Sequence, residues 1–514
     1  MESQSVNDPK NLGSPRARVL EIASTIPEEQ INPTDDQILA WIGDKLLDNE
    51  EDLYMVKSDI TSRSAAFTDV ISSDDDLEAL TELNNLFQFA EKEDLIAVKV
   101  QVGQSNEMKL LATTILPKSH ANKALMLRRN FYLSDHDIEE SDIISFDIPT
   151  YQKRKVIVDP RPGQRVTYAM GIDYYGEQKM SILRMVMEIM KKDKGGLGLH
   201  AGSKTYHLTN GEKKGAIIFG LSGTGKTTLT AHDHGKKEPV KDVDILQDDI
   251  VLITPQAEVF GTEYGMYVKC ADVPDHELIT RAVTRKDPDR AVIENVMVTA
   301  DGKIDWNDYS HTHNSRAIVP RSNVDGAAED IDLPQLNMIL FNTRRPELPP
   351  IGRLTNAEQA AAYYALGESI VTSAETKDPN VVGTAKRVVG FDPFILDEIH
   401  VNINRMRKIF DNNPDVKAYV VNTGYIGEEE NDIAVEDTLA CIEGVLLDNL
   451  EWELDEDLGY EVPKSVNGTD WDRLLPRKHF GDDEFAKMMT SLREERKAHL
   501  NTFSGIDEEI INSL

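Results

Sequence analysis

Between Asp35 and Ala90 apolar residues recur at helical spacing, broken by acidic loops such as Ser72–Asp76. The pattern then turns strand-like: LIAVKVQV from Leu95, a turn at Gly103–Asn106, and KLLATTIL ending at Leu116. Ile143–Ile148, Lys155–Val158 and Arg165–Met170 are further runs of strand length, so the N-terminal half reads as a mixed α/β body. Gln178–Lys192 predicts an amphipathic helix with Met180, Leu183, Val186 and Met187 on one face. A methionine-rich stripe of this kind is core packing. Gly195, Gly196 and Gly198 then end the helix and mark a lobe boundary. From Leu199 the texture becomes strand, turn, helix: Gly215–Phe219 (GAIIF) is a buried-type strand, and Val243–Leu246 and Ile250–Thr254 flank a pair of acids. The C-terminal part alternates helices, Asn356–Ala374 and Asp397–Asn412, with short strands such as Val416–Val421. The charged tail Asp482–Leu514 reads as a solvated helical surface element, and no internal repeat is present.

These boundaries predict a flexible lead (1–18), an N-terminal α/β lobe (19–198) and a second lobe with a C-terminal subdomain (199–514). A chain of 514 residues buries enough surface to fold without disulfide or metal staples. The formal charge of −34 argues against a nucleic-acid coat, but leaves room for a local positive pocket around a small phosphorylated ligand. Cys270 and Cys441 lie far apart, outside any CxxC spacing, and read as two buried thiols in a reducing cytosol. Met1–Arg18 lacks the apolar core of a secretory signal, and no apolar run reaches the roughly 18 residues of a membrane span. The expected location is therefore cytoplasmic.

One motif dominates the chemistry. Gly220–Thr227 reads GLSGTGKT, after the GAIIF strand and before a helix-compatible TLTAHDH, which is the context a P-loop requires. Glycines let backbone N–H groups turn inward on phosphate oxygens. Lys226 supplies a point charge for the β- and γ-phosphates, and the Thr227 hydroxyl can ligate Mg²⁺. The acid pair Asp248–Asp249 follows at a strand end, where such acids commonly hold the metal. His200 gains interest in combination with Asp249. His311 and His313 form an HxH with no third ligand at a defined spacing, which is weak grounds for zinc. Arg63 and Arg316 are candidate anion clamps, since a guanidinium fork matches carboxylate and phosphate.

Taken in order, these residues resemble the ATP-dependent phosphoenolpyruvate carboxykinase family, from about Ser58 to Asn449. The likeness is strongest at FGLSGTGKTTL and extends to Val292–Val296 (VIENV), Leu348–Gln359, Val420–Gly427 (VVNTGYIG) and Asp173–Met180 (DYYGEQKM). The resemblance implies an α/β, two-lobed fold with a P-loop lobe of mixed sheet and helices, and a site in the cleft. It implies the conversion of oxaloacetate and ATP to phosphoenolpyruvate, CO₂ and ADP, a decarboxylating lyase reaction of gluconeogenesis. Arg63 and Tyr175 match substrate-binding residues, and Arg316 matches the arginine that reaches substrate and transferring phosphate. His200 and Asp249 match ligands of Mn²⁺. Gly220, Leu221, Ser222, Gly223, Thr224, Gly225, Lys226, Thr227 and Thr228, with Glu294 and Thr438, match the nucleotide side. The catalytic set is then Lys179, Lys226, Asp249 and Arg316, and the metal set Lys179, His200, Thr227 and Asp249, with ATP, Mn²⁺ and Mg²⁺ as cofactors. The implied partners are small molecules, with no nucleic acid or membrane, and the implied state is a monomer.

The chain also departs from the family pattern. GRSP is SRSA here, and MHCSAN is LHAGSK. Two adjacent lysines are reduced to Lys179–Met180, so Lys179 can stand for either the metal ligand or its neighbour. A basic segment after NTG becomes Gly427–Asp432 (GEEEND), and a Thr/Pro-rich loop becomes Gly383–Pro393, a candidate lid. The altered lysines leave a second function open: a carboxykinase-like kinase acting on another small molecule or a protein hydroxyl. A non-catalytic nucleotide-binding regulator ranks last, because it would not need His200, Asp249, Lys226 and Arg316 together.

Overall fold

A computed structural model describes residues 14–62, 67–221, 223–274, 277–371, 380–396 and 398–514. The chain forms two compact units: Met1–Ile189 with Thr262–Ile331, and Met190–Gly261 with Asp332–Leu514. The segment Thr262–Ile331, which the sequence pattern grouped with the second lobe, thus belongs to the first, and Arg316 and Glu294 go with it. The predicted lead also ends early, since Pro15–Ala23 is helical, capped by the Ser14 hydroxyl and with proline in its first turn.

In the first unit a seven-stranded mixed sheet runs, edge to edge, through Thr68–Val70, Lys155–Asp159, Val166–Met170, Ile143–Ile148, Leu110–Pro117, Leu95–Val102 and Tyr132–Leu133. The predicted strands of this half are all present. The helices Pro15–Ala23 and Leu77–Ala90 pack on it through Val19, Leu83, Leu86 and Phe87 against Phe146 and Tyr168. The Asp35–Ala90 stretch is less helical than its periodicity suggested, because short strands at Leu46–Leu47, Tyr54–Val56 and Thr68–Val70 separate its helices. Two of them join a five-stranded sheet with Val292–Glu294, Arg316–Val319 and Met266–Lys269. Pairing to distant strands outweighs local period here.

The helix predicted at Gln178–Lys192 runs from Tyr175 to Asp193. It is not amphipathic in use: Glu177, Gln178, Lys179, Arg184 and Glu188 are as buried as its methionines. Burying charge requires partners, and Arg184 meets Glu177 at 3.1 Å.

The second unit is built on a ten-stranded mixed sheet. Its order is Val259–Gly261, Ile250–Ile253, Leu197–Leu208, Lys213–Gly220, Met338–Thr343, Lys417–Asn422, Ile351–Arg353, Tyr460–Pro463 and Trp452–Asp455, with Val240–Gln247 also pairing to Leu197–Leu208. Gly198 lies inside the Leu197–Leu208 strand rather than in the preceding turn. The helix expected over Asn356–Ala374 spans only Ala357–Leu366, ended by Gly367 in the left-handed conformation, and the strand Glu368–Ile370 follows. The next helix is Ile399–Asn412; Asp397 and residues 372–374 lie outside the described residues.

The C-terminal tail is not a solvated element. Its helices Asp482–Leu500 and Glu508–Asn512 bury Leu500 and Ile510 completely against Ala361, Ala365 and Ile403. Among the described residues no helix is long and apolar enough to cross a membrane. Leu500→Ala should cost about 2–5 kcal/mol, read as a lowered urea midpoint, the range for a fully buried leucine. A cost below about 0.5 kcal/mol would be that of a solvated tail.

Candidate active site

The strand Leu197–Leu208 organises the second unit's constellation. Along one edge it pairs with the P-loop strand, Ala201 opposite Phe219. Along the other it pairs first with Ile250–Ile253, His200 opposite Ile250, and then with Val240–Gln247. The chain crosses between those two strands through Asp248–Asp249, so register alone brings His200 beside Asp249 and within reach of the P-loop. The side chains meet accordingly. His200 Nε2 lies 2.8 Å from Asp249 Oδ1, and Lys226 Nζ lies 3.8 Å from the same oxygen.

His200 faces two acceptors. Its Nδ1 donates to the Phe391 carbonyl at 2.8 Å, and its Nε2 faces a carboxylate. A neutral imidazole has one N–H for these two acceptors. The second must be met by a further proton or by a cation. With Nδ1 as donor, Nε2 offers its lone pair on the side where Asp249 offers its own, which is the donor arrangement of a divalent-metal site. Among the described residues no cluster of three or more His, Cys, Asp or Glu side chains could hold a metal. The HxH pair does other work: His311 Nε2 bonds the Ser58 carbonyl at 2.9 Å, and His313 stacks on Tyr309.

The P-loop closes on itself. Thr224 is fully buried and its hydroxyl donates to the Leu221 carbonyl at 2.8 Å, so this threonine shapes the loop. The Thr423 hydroxyl ties down the Thr224 carbonyl from the strand end beyond Asn422. Gly220 admits no side chain, since a Cβ there would sit 2.4 Å from Thr224 Oγ1. Gly223 and Gly225 hold positive φ of 83° and 77°, the left-handed turn before the Lys226–Ala231 helix. Thr227 and Thr228 are half-buried on the first turn of that helix. Ser222 lies outside the described residues. Asn342, paired with Gly220 in parallel register, is fully buried with no hydrogen-bond partner on its amide, as suits a position beside a polar ligand. At the far end of the helix Lys204 donates to the Leu229 carbonyl at 2.8 Å and to that of His232. Burial pushes its ammonium down to about 7. The lysine of LHAGSK thus closes the last turn of the P-loop helix. Thr438 is buried in the Val435–Leu446 helix.

A second constellation lies in the first unit. Lys179 and Glu263, each 1% exposed, form an ion pair at 2.8 Å. Asn130 donates to the same Glu263 oxygen at 3.0 Å. Lys179 Nζ sits 4.4 Å from the Tyr267 ring centre, and the Arg316 guanidinium 5.8 Å from it, so one aromatic ring serves two cations. Tyr267 donates to the Tyr174 hydroxyl at 2.8 Å, and Tyr175 packs edge-on against Tyr267. Burial first, then Glu263 and Glu294, pushes the Tyr175 phenol far up, so it stays a neutral hydroxyl. Glu294, expected with the nucleotide, accepts the Tyr175 backbone N–H at 3.0 Å and so caps the helix start. Burial raises its carboxyl to about 8.

Arg63 lies outside the described residues. The segment leading to it is fixed by the segment leading to Arg316: Asn314 donates to the Thr61 carbonyl at 2.7 Å, next to the His311 contact on Ser58. Glu263, Tyr267, Phe391 and Asn342 were missed by sequence reading. Only the acid-aromatic run Thr262–Tyr267 carried a signal, and it is a faint one. Cys270 and Cys441 are both buried free thiols.

Comparison with known proteins follows the same lines. Residues 28–472 match the family model for phosphoenolpyruvate carboxykinase. The chain is 35% identical to the phosphoenolpyruvate carboxykinase (ATP) of Aeropyrum pernix over 423 residues, 82% of this chain and 83% of the relative. It is 28% identical to that of Bacillus mycoides over 417 residues, 77% of this chain and 71% of the relative. With the match running through both constellations, the chain belongs to the phosphoenolpyruvate carboxykinase family.

Proposed function

We propose that this protein converts oxaloacetate and ATP to phosphoenolpyruvate, CO₂ and ADP, in the gluconeogenic direction. The observation that carries the reading is the convergence of His200 and Lys226 on one oxygen of Asp249, at 2.8 and 3.8 Å, beside a P-loop. ATP and a divalent cation are the requirements of the family's reaction. Mn²⁺ suits the imidazole and carboxylate of His200 and Asp249, while Mg²⁺ suits phosphate oxygens and the Thr227 hydroxyl. The bound cation supplies Lewis-acid stabilisation of negative charge as CO₂ departs. In this reading Lys179, released from Glu263, is the third ligand or the cation next to it.

The chain's own residues do the rest. Arg63 and Arg316 bind carboxylate by bidentate hydrogen bonding, and Arg316 also faces the transferring phosphoryl group. Tyr175, kept neutral by burial, donates a hydrogen bond without adding charge. Lys226 and the inward N–H groups of the P-loop neutralise charge on the γ-phosphoryl group as it passes to the enol oxygen. Water must be kept out, since it would divert ATP to hydrolysis and the enolate to pyruvate. Glu294 and Thr438 serve the nucleotide side in this assignment. The net charge of −34 supports small-molecule partners over nucleic acid.

The ion pair between Lys179 and Glu263 keeps a second reading in play, since a lysine so held is unavailable to a metal. That reading is a kinase of the same build with another acceptor. Purified protein with ATP and Mn²⁺ should form phosphoenolpyruvate from oxaloacetate; nucleotide turnover on other acceptors alone would favour the second reading. Lys226→Ala and Asp249→Asn should each lower kcat by about a thousandfold, the scale for removing a group that stabilises transition-state charge, and near-normal rates would discredit the assignment. Gly220→Ala should weaken ATP binding about tenfold or more, near 1.4 kcal/mol, measured by titration calorimetry, with folding retained.

A further inference from the structure

The acceptor that fixes His200 is unusual. Phe391, whose carbonyl takes the Nδ1 proton, has a φ of +56°. A bulky L-residue in that conformation is a genuine outlier, and such strain persists only where the surroundings over-determine it. Three features of the second unit do so.

The first is aromatic. The Phe391 ring, 2% exposed, lies 5.4 Å from Phe219 and is stacked at 5.9 Å on Phe341. Phe219 is the residue just before the P-loop, so the stack couples Phe391 to the strand that carries it. The second is close passage. Gly390 has positive φ, and a Cβ there would meet the Tyr364 hydroxyl at 2.7 Å; a Cβ on Gly367 would meet the Val388 carbonyl oxygen at 1.7 Å. The chain therefore runs without slack against the Ala357–Leu366 helix.

The third is a buried clamp at the base of a hairpin. Glu368–Ile370 pairs antiparallel with Ala385–Arg387, Glu368 opposite Arg387. Glu368, 3% exposed, accepts from Arg387 at 3.1 Å and from Arg496 Nε at 2.8 Å, with Arg345 at 3.7 Å. Arg387 also reaches Glu495 at 2.8 Å. Burial alone would raise the Glu368 carboxyl, but Arg496, Arg345 and Arg387 hold it at about 2, so it stays ionised. Arg496 and Glu495 belong to the Asp482–Leu500 helix, beyond residue 472 where the family match ends.

We propose that Phe391 is a positioning residue for His200, held in its strained conformation by the Phe219–Phe341 stack and by a Glu368 clamp that the C-terminal helix completes. Its carbonyl keeps the Nδ1 proton in place, so that Nε2 is the nitrogen presented beside Asp249. The proposal rests on the reading that His200 and Asp249 hold the divalent cation. It assigns the segment Gly383–Pro393 a fixed supporting part, and it gives a role to the C-terminal helix.

The test reads the imidazole itself. Nitrogen-15 NMR of histidine-labelled protein, with Cd²⁺ as a diamagnetic cation, assigns His200 by the loss of its signals in His200→Asn. The expected spectrum shows Nδ1 protonated and Nε2 shifted by the metal; metal on Nδ1 overturns the proposal in the unmodified protein, independently of any variant. Phe391→Ala removes the ring from its stack, and Arg387→Met opens the clamp at its less buried arm. Each should lose the protected Nδ1 proton and weaken Mn²⁺ binding about 10- to 100-fold, the usual cost of losing a partner behind a metal ligand. MgATP affinity should stay within about threefold (under ~0.7 kcal/mol), which also reports a folded P-loop. An unchanged Nδ1 proton and unchanged Mn²⁺ affinity in a variant that binds MgATP overturn the positioning role while leaving the proposed reaction standing. Mn²⁺ affinity untouched by His200→Asn would overturn the cation reading, and this proposal with it.

Discussion

An imidazole with hydrogen-bond acceptors at both nitrogens is short of one positive charge. That shortage at His200, between the Phe391 carbonyl and Asp249, is the constraint from which the chemistry of the second unit follows. It arises from register: one strand, Leu197–Leu208, pairs on one edge with the P-loop strand and on the other with the strand after Asp249. A one-residue slip would turn His200 to the other face of the sheet. The same strand carries Lys204, four residues on and so on the same face, where it finishes the P-loop helix. A single element thus sets the imidazole, steadies the phosphate cradle and lines up the acid.

The first unit meets the opposite difficulty, which is holding cations inside a strongly acidic chain. Lys179 and Arg316 share the Tyr267 ring, and Glu263 neutralises the buried ammonium. Paired in this way, the Lys179 ammonium and the Glu263 carboxylate are kept dry without an uncompensated ion. The arrangement also makes Lys179 conditional, because its ammonium can act elsewhere only if Glu263 gives it up. The tyrosines around it are pushed towards the neutral form by burial, so the lining offers polarity without further charge.

Much of this was legible before any coordinates. GLSGTGKT between a strand and a helix carries its own chemistry, and the acid pair and His200 gained meaning from it. The strands Leu95–Val102 and Ile143–Ile148 were plain in the apolar pattern. What escaped were features that depend on distant pairing. Thr262–Ile331 joins the first unit because its strand Val292–Glu294 pairs with Tyr54–Val56, which no local pattern announces. The tail's buried face was hidden by a helix rich in charge whose few apolar residues, Phe485, Met489, Leu492 and Leu500, do the packing. Phe391 acts through its backbone carbonyl, and a backbone contact leaves no mark on residue type.

The central claim is that His200 and Asp249 jointly hold a divalent cation next to the nucleotide cradle. Electron–nuclear double resonance on Mn²⁺-loaded protein labelled with ¹⁵N-histidine tests it most directly. The account predicts a coupling from one histidine nitrogen that vanishes in His200→Asn. Absence of nitrogen coupling in the unmodified protein, or its persistence in that variant, would contradict it.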